Sequence, residues 1–203
     1  MKPDKKRQSQ QAFDQQAATY DTDIQGSHAR TLYPYMLQEI TRARGDRVMD
    51  LGCGTGALTA QVLEQDPRRQ VTGLDLSEQM LAQARARLGD RGKLIQGDSE
   101  CLPFPDGSFD VVYCCDSFHH YPNPRAVLAQ FARVLQPGGI LLLGECTAPA
   151  GVRAVTNLLL PLSREGDVRI YSARELEELL SAAFHGAECR RAGPTALVAW
   201  GVK

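Results

Sequence analysis

Two rhythms of apolar residues alternate along the 203-residue chain. Short, largely apolar runs recur at 47–51, 71–74, 93–96, 109–115 and 140–143. Between them, apolar residues fall at helical spacing, as with Leu58, Val62 and Leu63, or Met80, Leu81, Ala84 and Leu88. Runs such as 109–115, with almost no polar interruption, suit strands covered on both faces. Strand and helix in strict alternation predict a parallel sheet with helices on both sides. Ser77 opens one helix as an N-cap, and Ser172 with Glu175 predicts a capping box for a helix reaching residue 183. A helix over 125–135 ends at Pro137-Gly138-Gly139, which launches the fifth strand, and 154–162 is helix-like. Two closing strands, 187–192 and 195–202, are joined through Gly193-Pro194 as an antiparallel hairpin.

Ahead of the first strand, 30–42 carries Leu32, Tyr33, Met36, Leu37 and Ile40 at helical spacing. Phe13, Ala17 and Tyr20 predict a shorter helix within 12–21, and the polar residues 2–11 read as a mobile tail. No repeat or long linker divides the chain, so one domain over 1–203 is expected: 1–28 as tail and lid, 29–203 as core.

Composition changes this picture little. The chain is 43% apolar and 23% charged with a formal net charge of −1, so no electrostatic force favours nucleic acid or a membrane surface as main partner. The basic start lacks an apolar stretch behind it, and no apolar run is long enough to span a bilayer. Six cysteines lack zinc-site spacing and read as reduced thiols in a cytoplasmic protein. No resident metal is expected.

The chemistry concentrates where the first strand ends. Asp50 precedes Gly52, Gly54 and Gly56, three glycines at alternate positions before a helix. Such a turn brings backbone N–H groups and a helix N-terminus against an anionic or polar ligand. Asp75 ends the second strand, about where Rossmann-type folds keep a ribose-binding carboxylate. Together these predict a nucleoside-cofactor site.

In order along the chain, Phe13-Asp14 with Tyr20-Asp21, Asp50 to Gly56, Asp75, Gly97-Asp98, Leu102-Pro103-Phe104 with Ser108-Phe109-Asp110, and Pro137-Gly138-Gly139 resemble the motifs of class I S-adenosylmethionine-dependent methyltransferases. The likeness is to the small group related to quinone-biosynthesis methyltransferases. It implies a doubly wound, Rossmann-like α/β sheet of seven strands, mostly parallel, with strand seven antiparallel. It further implies S-adenosylmethionine as methyl donor, S-adenosylhomocysteine as product and a small-molecule acceptor, the protein being a monomer or homodimer.

Under that resemblance Gly52, Gly54 and Gly56 close on the amino-acid part of the cofactor, and Asp50 accepts from its ammonium. Asp75 takes the ribose hydroxyls, Leu76 and Met80 flank the adenine, and Asp98 with the Ser99 N–H reads its edge. Cys115 and Asp116 flank the sulfonium, with Tyr20 over it from the lid. His120, ahead of His119, is the candidate base at the end of the fourth strand. Phe118, Tyr121 and 158–160 suggest an apolar or aromatic acceptor. A non-catalytic cofactor-binding protein is the alternative of another class. A nicotinamide oxidoreductase would need Gly-x-Gly-x-x-Gly and a hydride-transfer pair, which the chain lacks.

Overall fold

The computed structural model describes residues 4–24, 26–163 and 165–203. Met1–Pro3 of the expected tail, Gln25 of the expected lid and Arg164 lie outside them.

The apolar runs become β1 (Arg47–Leu51), β2 (Gln70–Asp75), β3 (Lys93–Gln96), β4 (Phe109–Cys115), β5 (Leu135–Cys146), β6 (His185–Arg191) and β7 (Ala196–Val202). They form one sheet in the order β3-β2-β1-β4-β5-β7-β6. The β1–β2, β1–β4, β2–β3 and β4–β5 pairs are parallel, whereas β7 runs antiparallel between β5 and β6. The expected sheet is therefore present, including the closing hairpin. Strand order reverses between β1 and β4, which opens a crevice at their carboxyl ends.

The helices are α1 (Lys5–Gln16), α2 (Ser27–Arg42), α3 (Ala57–Gln65), α4 (Glu78–Leu88), α5 (Pro124–Val134), α6 (Ala150–Leu159) and α7 (Ala173–Ser181). Alternation along the strands divides the core. Met49, Val112 and Leu141 face Phe131 of α5 and Leu176 of α7, while Val48, Val111 and Tyr113 face Met36 of α2 and Val62 of α3. The Ser172–Glu175 capping box forms as expected.

Three elements depart from expectation. Residues 5–16, expected as tail giving way to a helix further on, are helical, and 17–23 form turns. No apolar face marks α1, because polar tertiary bonds hold it: Lys6 Nζ lies 2.8 Å from Asp98 and 3.0 Å from Glu100, and Asp14 accepts from the Ser77 hydroxyl at 2.6 Å. The fifth strand begins at Leu135, since Phe109 and Leu135 pair across a bulge that absorbs Pro137 and its glycines. The sixth helix starts at Ala150 and gives way to a 3-10 turn over Leu160–Leu162. No helix among the described residues is long and apolar enough to cross a membrane.

Candidate active site

The three glycines all adopt left-handed backbone, with φ of 70° at Gly52, 53° at Gly54 and 72° at Gly56, a region that disfavours residues bearing Cβ. The N–H groups of Gly52 and Cys53 both donate to Leu74 O, at 2.8 and 3.2 Å, which pins the turn to the end of β2. A Cβ on Gly54 would meet nothing within 4 Å, so this glycine presents bare backbone to open space. Gly56 differs: its Cβ would crowd Ala84 and Leu88, so it serves close packing of α3 against α4 rather than the cavity.

Asp75 ties the neighbouring elements together. Its Oδ2 accepts from Gly54 N–H and its Oδ1 from Ser77 N–H, each at 2.8 Å. Both oxygens keep a lone pair for further donors. Gly52, Gly54, Asp75, Leu76, Met80, Asp98 and Ser99 line one cavity of about 890 Å3, counting space open to solvent. Cys115, Asp116 and His120 close its far end, and Lys6, Phe13 and Tyr20 roof it. Tertiary structure thus brings most of the expected cofactor residues together. Lys6, Ser9, Gln10 and Ser117 join them without any signal local to the sequence, and Phe13 of the opening motif and Tyr121, expected at the acceptor, join them too.

Asp50 stands apart from the cavity lining, contrary to expectation. It is buried, and its Oδ2 accepts from the hydroxyls of Thr59 and Tyr113, the latter at 2.9 Å. Burial raises its carboxyl to about 7 against the opposing pull of those two bonds. It braces β1 against β4 from behind the glycine turn.

The segment before α2 bolts the roof down. Asp21 accepts from the Thr55 hydroxyl at 2.7 Å and pairs with Arg87. At Asp98, burial opposes ionisation, but the Lys6 ammonium and the Glu100 N–H hold its carboxyl below the usual range.

His119 and His120 have opposite environments, although their ring centroids are 4.1 Å apart. The Nδ1 of His119 lies 2.8 Å from Glu145 Oε2, and the other oxygen of this fully buried carboxylate accepts from Phe118 N–H at 2.8 Å. Burial alone would discharge His119, yet Glu145 overrides it and pushes its pKa up to about 9. His119 is therefore a cation at neutral pH and unsuited to be a base. Burial, and then the charge on His119, hold His120 well below 6.5, so its ring is neutral.

A second cavity of about 640 Å3 adjoins the first, sharing Phe13, Tyr20, Asp116 and His120 with it. His119, Cys146, Glu165 and Asp167 line the rest with Leu160 and Ile170. The residues expected to form an apolar or aromatic acceptor wall do not gather here, and Tyr121 lines the first cavity instead. Phe118 is buried in the core, and Leu158 and Leu159 are 78% and 54% exposed; only Leu160 of that group reaches the cavity.

Residues 49–143 match the family model described as a methyltransferase domain. The chain is 34% identical over 148 residues to the ubiquinone/menaquinone biosynthesis C-methyltransferase of Stutzerimonas stutzeri, covering 68% of this chain and 58% of that protein. It is 40% identical over 118 residues to the 27-O-demethylrifamycin SV methyltransferase of Amycolatopsis mediterranei, covering 54% and 43%. The chain thus spans about half the length of the curated relatives it matches. The crystal structure of YcgJ from Bacillus subtilis superposes with a TM-score of 0.71 over 84% of this chain and 98% of that one, at 21% identity. The matched span contains the glycine turn, Asp75, Asp98 and the histidine pair. The roof residues Lys6, Phe13 and Tyr20, and the outer wall of the second cavity from Cys146 to Ile170, lie outside the matched span.

Proposed function

We propose that this chain is an S-adenosylmethionine-dependent methyltransferase that transfers a methyl group to a small molecule. The observation that carries this reading is the join of two cavities at Asp116 and His120, one lined by the glycine turn, Asp75 and Asp98 and the other by acids and histidines. The residues present fit the cofactor. Gly54 offers unobstructed backbone, Asp75 keeps acceptor capacity for the ribose hydroxyls, and Asp98 does so for an exocyclic amine. Leu76 and Met80 supply apolar faces for the ring, and Ser99 an N–H beside it. Asp116, whose buried Oδ1 has no hydrogen-bond partner, suits a neighbouring sulfonium.

When bound, the cofactor supplies an already activated methyl group. The chain then has to align and dehydrate: the glycine turn and Asp75 fix the nucleoside, and the roof of Phe13 and Tyr20 excludes water. Tyr20 would place an aromatic face near the sulfonium, a contact worth about 0.5–2 kcal/mol. His120, neutral and exposed to both cavities, is the group able to take a proton from an acceptor.

In this reading residues 1–203 act as one unit, with 1–28 as tail and lid. The six free cysteines suit a reducing, cytoplasmic setting, and the near-zero net charge gives no pull toward nucleic acid. A monomer or homodimer satisfies the geometry, since both cavities are built within one chain. The test is calorimetry with S-adenosylmethionine, S-adenosylhomocysteine and NADH. The first two should bind, and Asp75→Ala should weaken them about 10- to 150-fold, the equivalent of a lost charge-assisted bond of about 1.5–3 kcal/mol. Binding of NADH alone would end the reading.

A further inference from the structure

Acids outnumber cations around the second cavity. Asp116, Glu165 and Asp167 line it, and among the described residues no lysine or arginine does. His119, the cation that also lines this cavity, lies 2.8 Å from Glu145 through Nδ1 and 3.7 Å from Asp167 through Nε2. The carboxylates are only partly engaged by the protein. Glu165 accepts from Gln16 at 3.0 Å, and Asp167 from the Ser163 hydroxyl. Asp116 Oδ1 is buried with no partner, and Asp116 is the one described non-glycine residue with positive φ, at 53°. That conformation costs about 1–2 kcal/mol, and it sits where the two cavities meet.

A second, independent observation comes from His120. Its side chain is 8% exposed and lines both cavities, yet Nδ1 has no hydrogen-bond partner. Asp167 Oδ1 is 3.3 Å from that nitrogen, close enough for ionic attraction but not aligned for a bond. A guest bearing N–H donors and positive charge satisfies these groups together, because buried carboxylates need a cation or a donor and an unpartnered imidazole nitrogen accepts from an N–H.

A metal ion is the competing guest. Asp116, His119, Glu145 and Cys146, or His119, His120 and Asp167, each offer ligand atoms within 4.8 Å of one another. In the first group both oxygens of Glu145 are already taken, by Phe118 N–H and His119. The second opens on a cavity of about 640 Å3, counting space open to solvent, bordered by Phe13, Tyr20, Leu160 and Ile170, which leaves room for an organic body beside the charge. Two aromatic rings at the rim also favour an organic cation.

We propose that the methyl acceptor is an amine, bound as its ammonium form between Asp116 and Asp167 and facing His120. This deepens the methyltransferase reading and rests on it. The ammonium gives one proton to His120, and Asp167 stabilises the imidazolium so formed. The freed nitrogen lone pair forms the new N–C bond as the methyl carbon–sulfur bond breaks, its electron pair leaving with sulfur. The product is the methylated ammonium and a neutral thioether, and the proton on His120 passes to solvent.

The experiment titrates phenethylamine and tyramine, each beside its matched alcohol, 2-phenylethanol and 4-hydroxyphenethyl alcohol, into protein saturated with S-adenosylhomocysteine. Calorimetry reads binding, and mass spectrometry of parallel reactions with S-adenosylmethionine reads the methylated atom. The amines should bind at least about 10-fold tighter than the alcohols and gain the methyl group on nitrogen. Asp167→Asn should weaken amine binding about 10- to 100-fold while leaving S-adenosylhomocysteine affinity, and hence folding, unchanged. Equal or tighter binding of the alcohols, methylation only on oxygen, or an unaffected Asp167→Asn variant would overturn the proposal. So would zinc uptake that governs turnover, with chelation abolishing activity and zinc restoring it. Absence of S-adenosylhomocysteine binding would instead sink the reading beneath it.

Discussion

Glu145→Gln isolates the device that separates the two histidines. The substitution keeps the shape and one acceptor oxygen, turns the other oxygen into an NH2 donor, and removes the charge that holds His119 protonated. In the folded protein His119 titrates at about 9 against an ordinary value of 6.5. At about 1.36 kcal/mol per pH unit, that gap corresponds to about 3 kcal/mol of stability. Because the folded value is raised, the stabilisation is fully present below pH 6.5 and disappears as pH climbs through about 9. Without Glu145, burial dominates and His119 becomes neutral, so the variant lacks this contribution at every pH above its new, lower pKa. Breaking a buried pair of this kind costs about 3–5 kcal/mol. Urea denaturation from pH 6 to pH 10 should show Glu145→Gln less stable by about that amount near pH 6.5, with the gap narrowing by about 3 kcal/mol toward pH 10. Imidazole NMR should place His119 well above 6.5 in the parent protein and below it in the variant. A gap that stays constant with pH, or a parent His119 titrating at or below 6.5, would refute the assignment. With it would go the reason for reading His120 as the neutral partner.

Three further outcomes follow from the same geometry. Deleting residues 1–26 should lower turnover and cofactor affinity far more than melting temperature, because α1 roofs the cavity through Lys6–Asp98 and Asp14–Ser77 and its one buried residue is Ser9; a proportionate loss of folding would make the segment a plain packing element. Gly54→Ala should cost only about 1–2 kcal/mol in denaturation, from its positive φ, yet abolish calorimetric cofactor binding, since its Cβ would point into open cavity. Gly52→Ala should destabilise more strongly than Gly54→Ala in the same assay, because its Cβ would lie 2.3 Å from Ser117 Oγ; equal stability losses would contradict the packing argument.

Much of this protein was legible in its residues taken in order. Strand runs, helical spacing and the Ser172–Glu175 cap are local signals, and they yield the seven-stranded sheet because a continuous apolar run can only be buried between two helical layers. The cofactor end was legible for the same reason. Gly52, Gly54 and Asp75 sit at strand ends, where the Asp75 carboxylate accepts from the Gly54 N–H, and strand ends are marked in sequence. Asp50, next to them in sequence, lies behind the turn, because the alternation of a strand sends its side chain into the Thr59–Tyr113 side of the sheet. Only tertiary structure decided the rest. The first helix has no apolar face to announce it, since its partners Asp98, Glu100 and Ser77 come from distant elements. The sequence put His120 ahead of His119 only through a family resemblance, whereas in the structure Glu145 from β5 makes His119 a cation. The acid-lined second cavity is assembled from Asp116, Glu165 and Asp167 with Phe13 from the other end of the chain. No periodicity can encode that meeting, because charges separated along the chain share a cavity only after the sheet and its roof have brought them together.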